Sequence, residues 1–244
     1  MTLTRKIVLR DAPPLVGTEI AVYIDGKSTE LTDGYTFGMM RVTLANELDK
    51  FIVEWGDGNT ETIYETVSGL THTYSRPGVY RIRISDDISD IMISTGGASV
   101  FPTVYAPMVR EFRTNSTRIQ TIARTAFRNA VNLHSLELRG SAIRTLSSSA
   151  FAGCVSLTSL MGCSEIETLY LSVFNGCTGL SGRIDLPNLT NITTDYLSYS
   201  PFLNTNITEF HFAAKNEEAI RSLSLFYDTD GNLGVEGAVS FFDL

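Results

Sequence analysis

The chain has 244 residues, 43% of them hydrophobic and 19% charged, with a net charge of −8. This length accommodates one large domain or two modest ones, each with a real core. The acidity excludes a molecule that grips polyanions over its whole surface, and three cysteines are too few for a disulfide framework.

The first residues, Met1-Thr-Leu-Thr-Arg-Lys6, lead into an alternating strand pattern instead of the apolar stretch of a secretion signal. No run approaches a transmembrane span, so no membrane insertion is expected. Residues 6–10, 19–24, 35–44, 50–55 and 79–85 are short runs rich in β-branched and aromatic side chains. Asp25-Gly26, Asp33-Gly34, Asp57-Gly58-Asn59 and Pro77-Gly78 supply turns between them. Strands at this spacing argue a small antiparallel sandwich. Within it, Trp55-Gly-Asp-Gly58 is followed by His72-Thr-Tyr74 and by Pro77-Gly-Val-Tyr80. This series resembles the PKD domain over about residues 45–85. The resemblance implies an immunoglobulin-like β-sandwich in which Trp55, Asp57, His72 and Tyr74 are structural residues. Residues 86–90 and 95–99 read as a boundary, which divides the chain into 1–92 and 93–244.

Beyond that boundary the sequence repeats. Ile119-x-x-Ile122-x-x-x-Ala126-Phe127-x-x-Ala130-x-x-Leu133 recurs from Ile143 and again from Ile166, at offsets of 24 and 23 residues. Such a period means a solenoid, each coil burying its apolar face on the next. Phe127, Phe151 and Phe174 are therefore expected in the core, and Cys154 and Cys177 in a small buried slot that Ala130 fills one coil earlier. Val109 and Phe112 mark a degraded first coil. Leu189 and Ile192 mark a lengthened fourth, with Leu197 in its Phe position, that ends in a strand at 207–212, and a tail with a helix at 217–225 and a strand at 239–244 forms a cap. The fold expected is thus two-domain and β-rich, a sandwich followed by a right-handed solenoid with short helices and a capped end.

The Ala150-Phe-Ala-Gly-Cys154 box between two apolar strand pairs resembles the BspA-like (Treponema pallidum-type) leucine-rich repeats. That resemblance implies surface adhesion to a protein or glycan. A PKD-like module beside such repeats is similar to surface proteins of gut bacteria and of their phages. The expected place is a cell surface, the extracellular space or a virion.

The side chains left outside the core are candidates for recognition. In register along one strand ladder stand Arg113, Glu137 and Met161, with Asn115, Arg139 and Cys163 beside them. Along the other stand Thr121, Thr145, Thr168 and Asn191, flanked by Gln120, Arg144, Glu167 and Thr190. Residues 100–145 carry seven arginines against two glutamates, between flanks of net charge −5 and −8. This band can meet an anionic partner or pair internally. The binding residues expected are Arg110, Arg113, Glu137, Arg139 and Arg144.

Chemistry for catalysis is not visible. The three histidines lie on different segments, no zinc spacing or nucleophile elbow occurs, and aromatics do not interleave with the arginines as single-stranded nucleic acid requires. Asp228-Thr-Asp230-Gly-Asn232 resembles the start of a calcium loop, but Val239 stands where a bidentate Glu is needed. The expectation is a non-enzymatic binding protein without cofactor or metal. A prophage-encoded virion assembly protein and an accessory module of a surface enzyme system are the alternatives.

Overall fold

The computed structural model describes residues 17–25, 35–47, 49–93, 103–193 and 200–213 and the strand at 238–242. The strand expected at 6–10, the helix at 217–225, the calcium-like loop and Leu197 lie outside the described residues.

Among the described residues seven strands form the N-terminal part: β1 (Thr18–Ile24), β2 (Thr36–Leu44), β3 (Phe51–Glu54), β4 (Thr60–Ile63), β5 (Val67–Thr73), β6 (Gly78–Ile84) and β7 (Ile88–Met92). They pair antiparallel as β1-β6-β3-β4 and β5-β2-β7. The period-two pattern of β6 places Ile82 and Ile84 inside and Val79 and Arg81 outside. Ile20, Val22, Val53, Ile82 and Ile84 of the first sheet join Phe37, Met39 and Val42 of the second in one apolar cluster.

The repeats wind into about four turns. On one side β8 (Val109–Thr114), β10 (Ser135–Glu137) and β12 (Ser159–Met161) stack in parallel, Phe112 beside Leu136 beside Leu160. On another, β9 (Thr121–Ile122), β11 (Thr145–Leu146), β13 (Thr168–Tyr170) and β15 (Asn191–Thr193) stack likewise. The two ladders have the register that the period implies.

Between them the Ala-Phe segments are turns, so none of the short helices expected in the solenoid lies there. Among the described residues the only helical pieces are the 3-10 segments Thr103–Met108 and Cys163–Glu165. The cause is local. Thr125, Ser149 and Ser172, just before each Ala/Val-Phe pair, have φ of 58°, 56° and 56°. Two residues after each Phe stand Asn129, Gly153, Gly176 and Asn204, with φ of 61°, 77°, 75° and 57°. Two left-handed residues within five stop a helix, and the second column holds only Gly and Asn, which tolerate that region best.

The Phe side chains stack along the axis. Phe127–Phe151, Phe151–Phe174 and Phe174–Phe202 have ring centroids 5.4, 5.6 and 5.5 Å apart, nearly parallel. Such pairs add about 0.5–1.5 kcal/mol beyond their burial. Phe202 continues the stack, and Phe174 N–H donates to Pro201 O across the coil. The extra residues of the fourth coil therefore precede its Phe position.

The solenoid ends in a separate parallel sheet of β14 (Ser181–Asp185), β16 (Asn206–Ala213) and β17 (Ala238–Phe242). At its start, β8 pairs antiparallel with β1, Arg113 opposite Glu19. One seven-stranded sheet, β12-β10-β8-β1-β6-β3-β4, thus crosses the boundary expected near residue 93.

Candidate functional site

The seven-stranded sheet has one face in the core and one open face, and the open face is charged. Its centre is Glu19, only 1% exposed. Arg81 Nη1 and Arg83 Nε each donate to its carboxylate at 3.0 Å. Arg113 Nε lies 3.0 Å from Oε1 as an ion pair, its N–H not aimed along a hydrogen-bond line. Burial pushes the Glu19 carboxyl up, but the bonds from Arg83 and Arg81 and the positive charge of Arg113 outweigh it and hold the group below its ordinary value. Arg81 also reaches Glu111 at 3.0 Å, and His134 Nε2 stands 3.6 Å from Glu111. This lattice closes the junction between β1, β6, β8 and β10.

Most of the arginine band is engaged inside the molecule. Arg110 lies over the Tyr23 ring at 5.3 Å. Arg118 pairs with Asp49, and Arg144 sits 3.5 and 3.7 Å from Glu165 and Glu167. Arg144 adjoins β11, on the other ladder, so the five expected binding residues do not share one face. Glu137 and Arg139 differ from the rest. They lie beyond the lattice, and neither has an oppositely charged group within 4.0 Å among the described residues.

Grooves follow this end of the face. One of about 110 Å³ is lined by Arg113, Thr114, Asn115, Glu137 and Arg139. A second of about 380 Å³ runs past Glu111, His134, Glu137, Ser159 and Met161. A third of about 510 Å³ begins at Arg139 and reaches Arg183 and Asp185. Cys163 does not join Arg139 on the surface. Gly162, at φ 77°, turns the chain so that Cys163 opens a 3-10 turn and is buried, and burial pushes its thiol up to about 12.

A family model for the BspA type leucine-rich repeat region matches residues 108–230 in six copies, 123 of the 244 residues. The chain belongs to the BspA-type leucine-rich repeat family. No curated protein and no solved structure matches it. BspA-type repeats are commonly surface-associated binding and adhesion modules, and the family is typically non-catalytic.

The remaining residues singled out from the sequence lie away from this face. In the BspA-type coils, Cys154 Sγ donates to Phe127 O and Cys177 Sγ to Phe151 O, at 3.2 and 3.1 Å. Both are free and buried, and burial pushes the Cys154 thiol up. In the N-terminal part, Trp55 stacks on His72 at 4.7 Å, and His72 Nε2 lies 2.8 Å from Asp57 Oδ2. Tyr74 OH donates to Trp55 O, and Asn59 N–H donates to Asp57. Burial pushes the Asp57 carboxyl up slightly, and the His72 and Asn59 bonds bring it below its ordinary value. Gly56, at φ 83°, allows this turn to lie on β6, since a Cβ there would meet Arg81 O at 2.7 Å.

His134, Met161, Arg183 and Asp185 line the grooves but were not among the expected contacts, although Met161 had been placed on the ladder. Arg183 and Asp185 were signalled. They stand where Leu136 and Leu138 stand two coils earlier.

Proposed function

We propose that this chain is a non-catalytic recognition protein, displayed on a cell or particle surface, that binds a protein or glycan through the open strand face of β8, β10 and β12. The observation that carries the reading is the state of Glu137 and Arg139. They project beside Met161 at the grooved end of the face, with no internal charge partner among the described residues, whereas Arg113 is held by Glu19. Desolvated charges and Arg anchors are what a specific interface uses. The sheet that joins β1 to β8 makes the N-terminal part a rigid support for that face. In this reading residues 1–92 are a PKD-like, immunoglobulin-like module. The Trp55–His72–Tyr74 cluster closes its Gly-Asp-Gly turn, and residues 93–244 are the adhesive solenoid.

The test is retention of the chain on immobilised mucins, matrix proteins and whole bacterial cells. Glu137→Ala and Arg139→Ala each lower retention at least about tenfold, as loss of an interfacial charge contact does. Arg144→Ala, on the other ladder, leaves it unchanged. Retention that survives both face substitutions moves the site elsewhere.

A further inference from the structure

The strand-face ladder stops at β12, and the reason can be read in the residues. Leu136 and Leu138 occupy the inward positions of one coil, Leu160 and Gly162 stand at the same offsets in the next, and Arg183 and Asp185 at those offsets in the third. Two charges cannot enter an apolar slot without partners. β14 therefore turns its alternation over, with Ile184 buried and Arg183 and Asp185 exposed. A one-residue slip exchanges the two faces of a strand. β14 then pairs with β16, through an irregularity at Gly182/Arg183, and not with β12.

Among the described residues the slip leaves two open edges: β12 is the last strand of the seven-stranded sheet, and β14 is the outer strand of the three-stranded one. They face each other across the cleft of about 510 Å³. Ser159 N–H and Met161 C=O bond to the β10 side, to His134 O and from Leu138 N–H. By strand alternation Leu160 turns its N–H and C=O the other way, into the cleft. Arg139 stands at the rim without a carboxylate partner among the described residues, while Arg183 is held by Asp185 at 3.1 Å. Among the described residues no aromatic ring lines the cleft.

The geometry points to this cleft as a docking slot for an extended peptide segment that carries an acidic side chain. The peptide main chain completes the open edges of β12 and β14, and its carboxylate meets Arg139. A sugar would find no ring to stack on among the described residues and lacks the regularly spaced amides that continue a strand ladder. The volume suits a few residues, within the roughly 300–1,000 Å³ of ordinary ligand sites. This inference rests on the recognition reading above and names its partner chemistry.

The probe is a pooled set of blocked pentapeptides, β-branched at positions two and four and varied at the others, passed over the immobilised full chain. The retained peptides are expected to be enriched in Glu or Asp at one position. They shift the amide signals of Leu160 and residues 181–185, and they are lost on N-methylation of alternate amides. Arg139→Gln, checked for an unchanged melting temperature, weakens a retained peptide about tenfold, the worth of one charge-assisted bond. No retained peptide, or binding indifferent to N-methylation or to Arg139→Gln, overturns the slot. Capture of mucin, matrix or cells by the face without any peptide binding overturns the slot alone. Peptide binding without such capture supports the slot and overturns the broader surface reading.

Discussion

The two strand ladders of the solenoid start from the same repeat and end differently. The β9-β11-β13-β15 ladder runs unbroken through four coils, with Ile122, Leu146, Leu169 and Ile192 in register. The β8-β10-β12 ladder is tied at its start to β1 and breaks after three coils. Period alone does not decide this. Each coil must also place an apolar residue in the slot, and only the second ladder meets Arg183 and Asp185 there. The unbroken ladder carries no such charges, and the grooves and open edges lie along the broken one.

The largest expected effect comes from putting a charge into the unbroken ladder. Leu169 is wholly buried. Leu169→Arg should cost about 4 kcal/mol or more, or abolish folding, because the guanidinium has no buried partner. Arg183→Leu, in the broken ladder, should change stability by no more than about 0.5 kcal/mol, since Arg183 is exposed and its pair with Asp185 lies at the surface. Urea unfolding of both variants checks the contrast. Similar costs at the two positions would mean that the ladders differ in length but not in role.

Next is the tie at the start of the broken ladder. Glu19→Gln should cost about 2 kcal/mol, below the usual figure for a buried ion pair because its three arginines are 37–49% exposed. The pH dependence has a definite sign. The carboxyl is held below its ordinary 4.5 in the folded chain. Its stabilisation is therefore complete above about pH 4.5 and is lost as the pH falls through the lower folded value. Acid unfolding followed by circular dichroism should show the parent losing this increment below pH 4.5 and Glu19→Gln lacking it. Equal acid slopes for the two chains would remove Glu19 from the junction's energetics.

Much of this contrast was legible in the sequence, and the rest was not for identifiable reasons. The coil period, the buried Phe column and the small Ala/Cys slot follow from local spacing, which a solenoid preserves in space. Phe202 was hidden because the extra residues fall before the Phe position and break the spacing there. The partners of the arginine band were hidden because they come from far along the chain. Glu19 reaches Arg113 only after β1 has paired with β8, and no local pattern records that antiparallel join. The cleft lies between these cases, since its cause, charges in leucine positions, was present in the repeat itself.

The small buried slot in the turns between the ladders tests a smaller term. Cys154→Ala should cost about 1 kcal/mol, because it removes one thiol–carbonyl contact and some buried volume from a position where Ala130 already serves one coil earlier. The native thiols of Cys154 and Cys177 should also resist thiol reagents until the chain unfolds, which a reagent-uptake assay across a urea series would follow.

The smallest expected effect bears most directly on the comparison. Thr145 and Thr168 stand between Thr121 and Asn191 on the outward side of the unbroken ladder. If this side is structural, their hydroxyls matter little, because Val keeps the β-branch that packs along the stack. Thr145→Val with Thr168→Val should then shift stability by less than about 0.5 kcal/mol and leave retention on mucins, matrix proteins or cells unchanged. Arg139→Ala should lower retention in the same assay without changing the melting temperature. The opposite result, with retention lost in the Val pair and kept in Arg139→Ala, would exchange the roles of the two ladders. The hydroxyl stripe would then be the recognition surface, and the broken ladder only the place where the repeat stops.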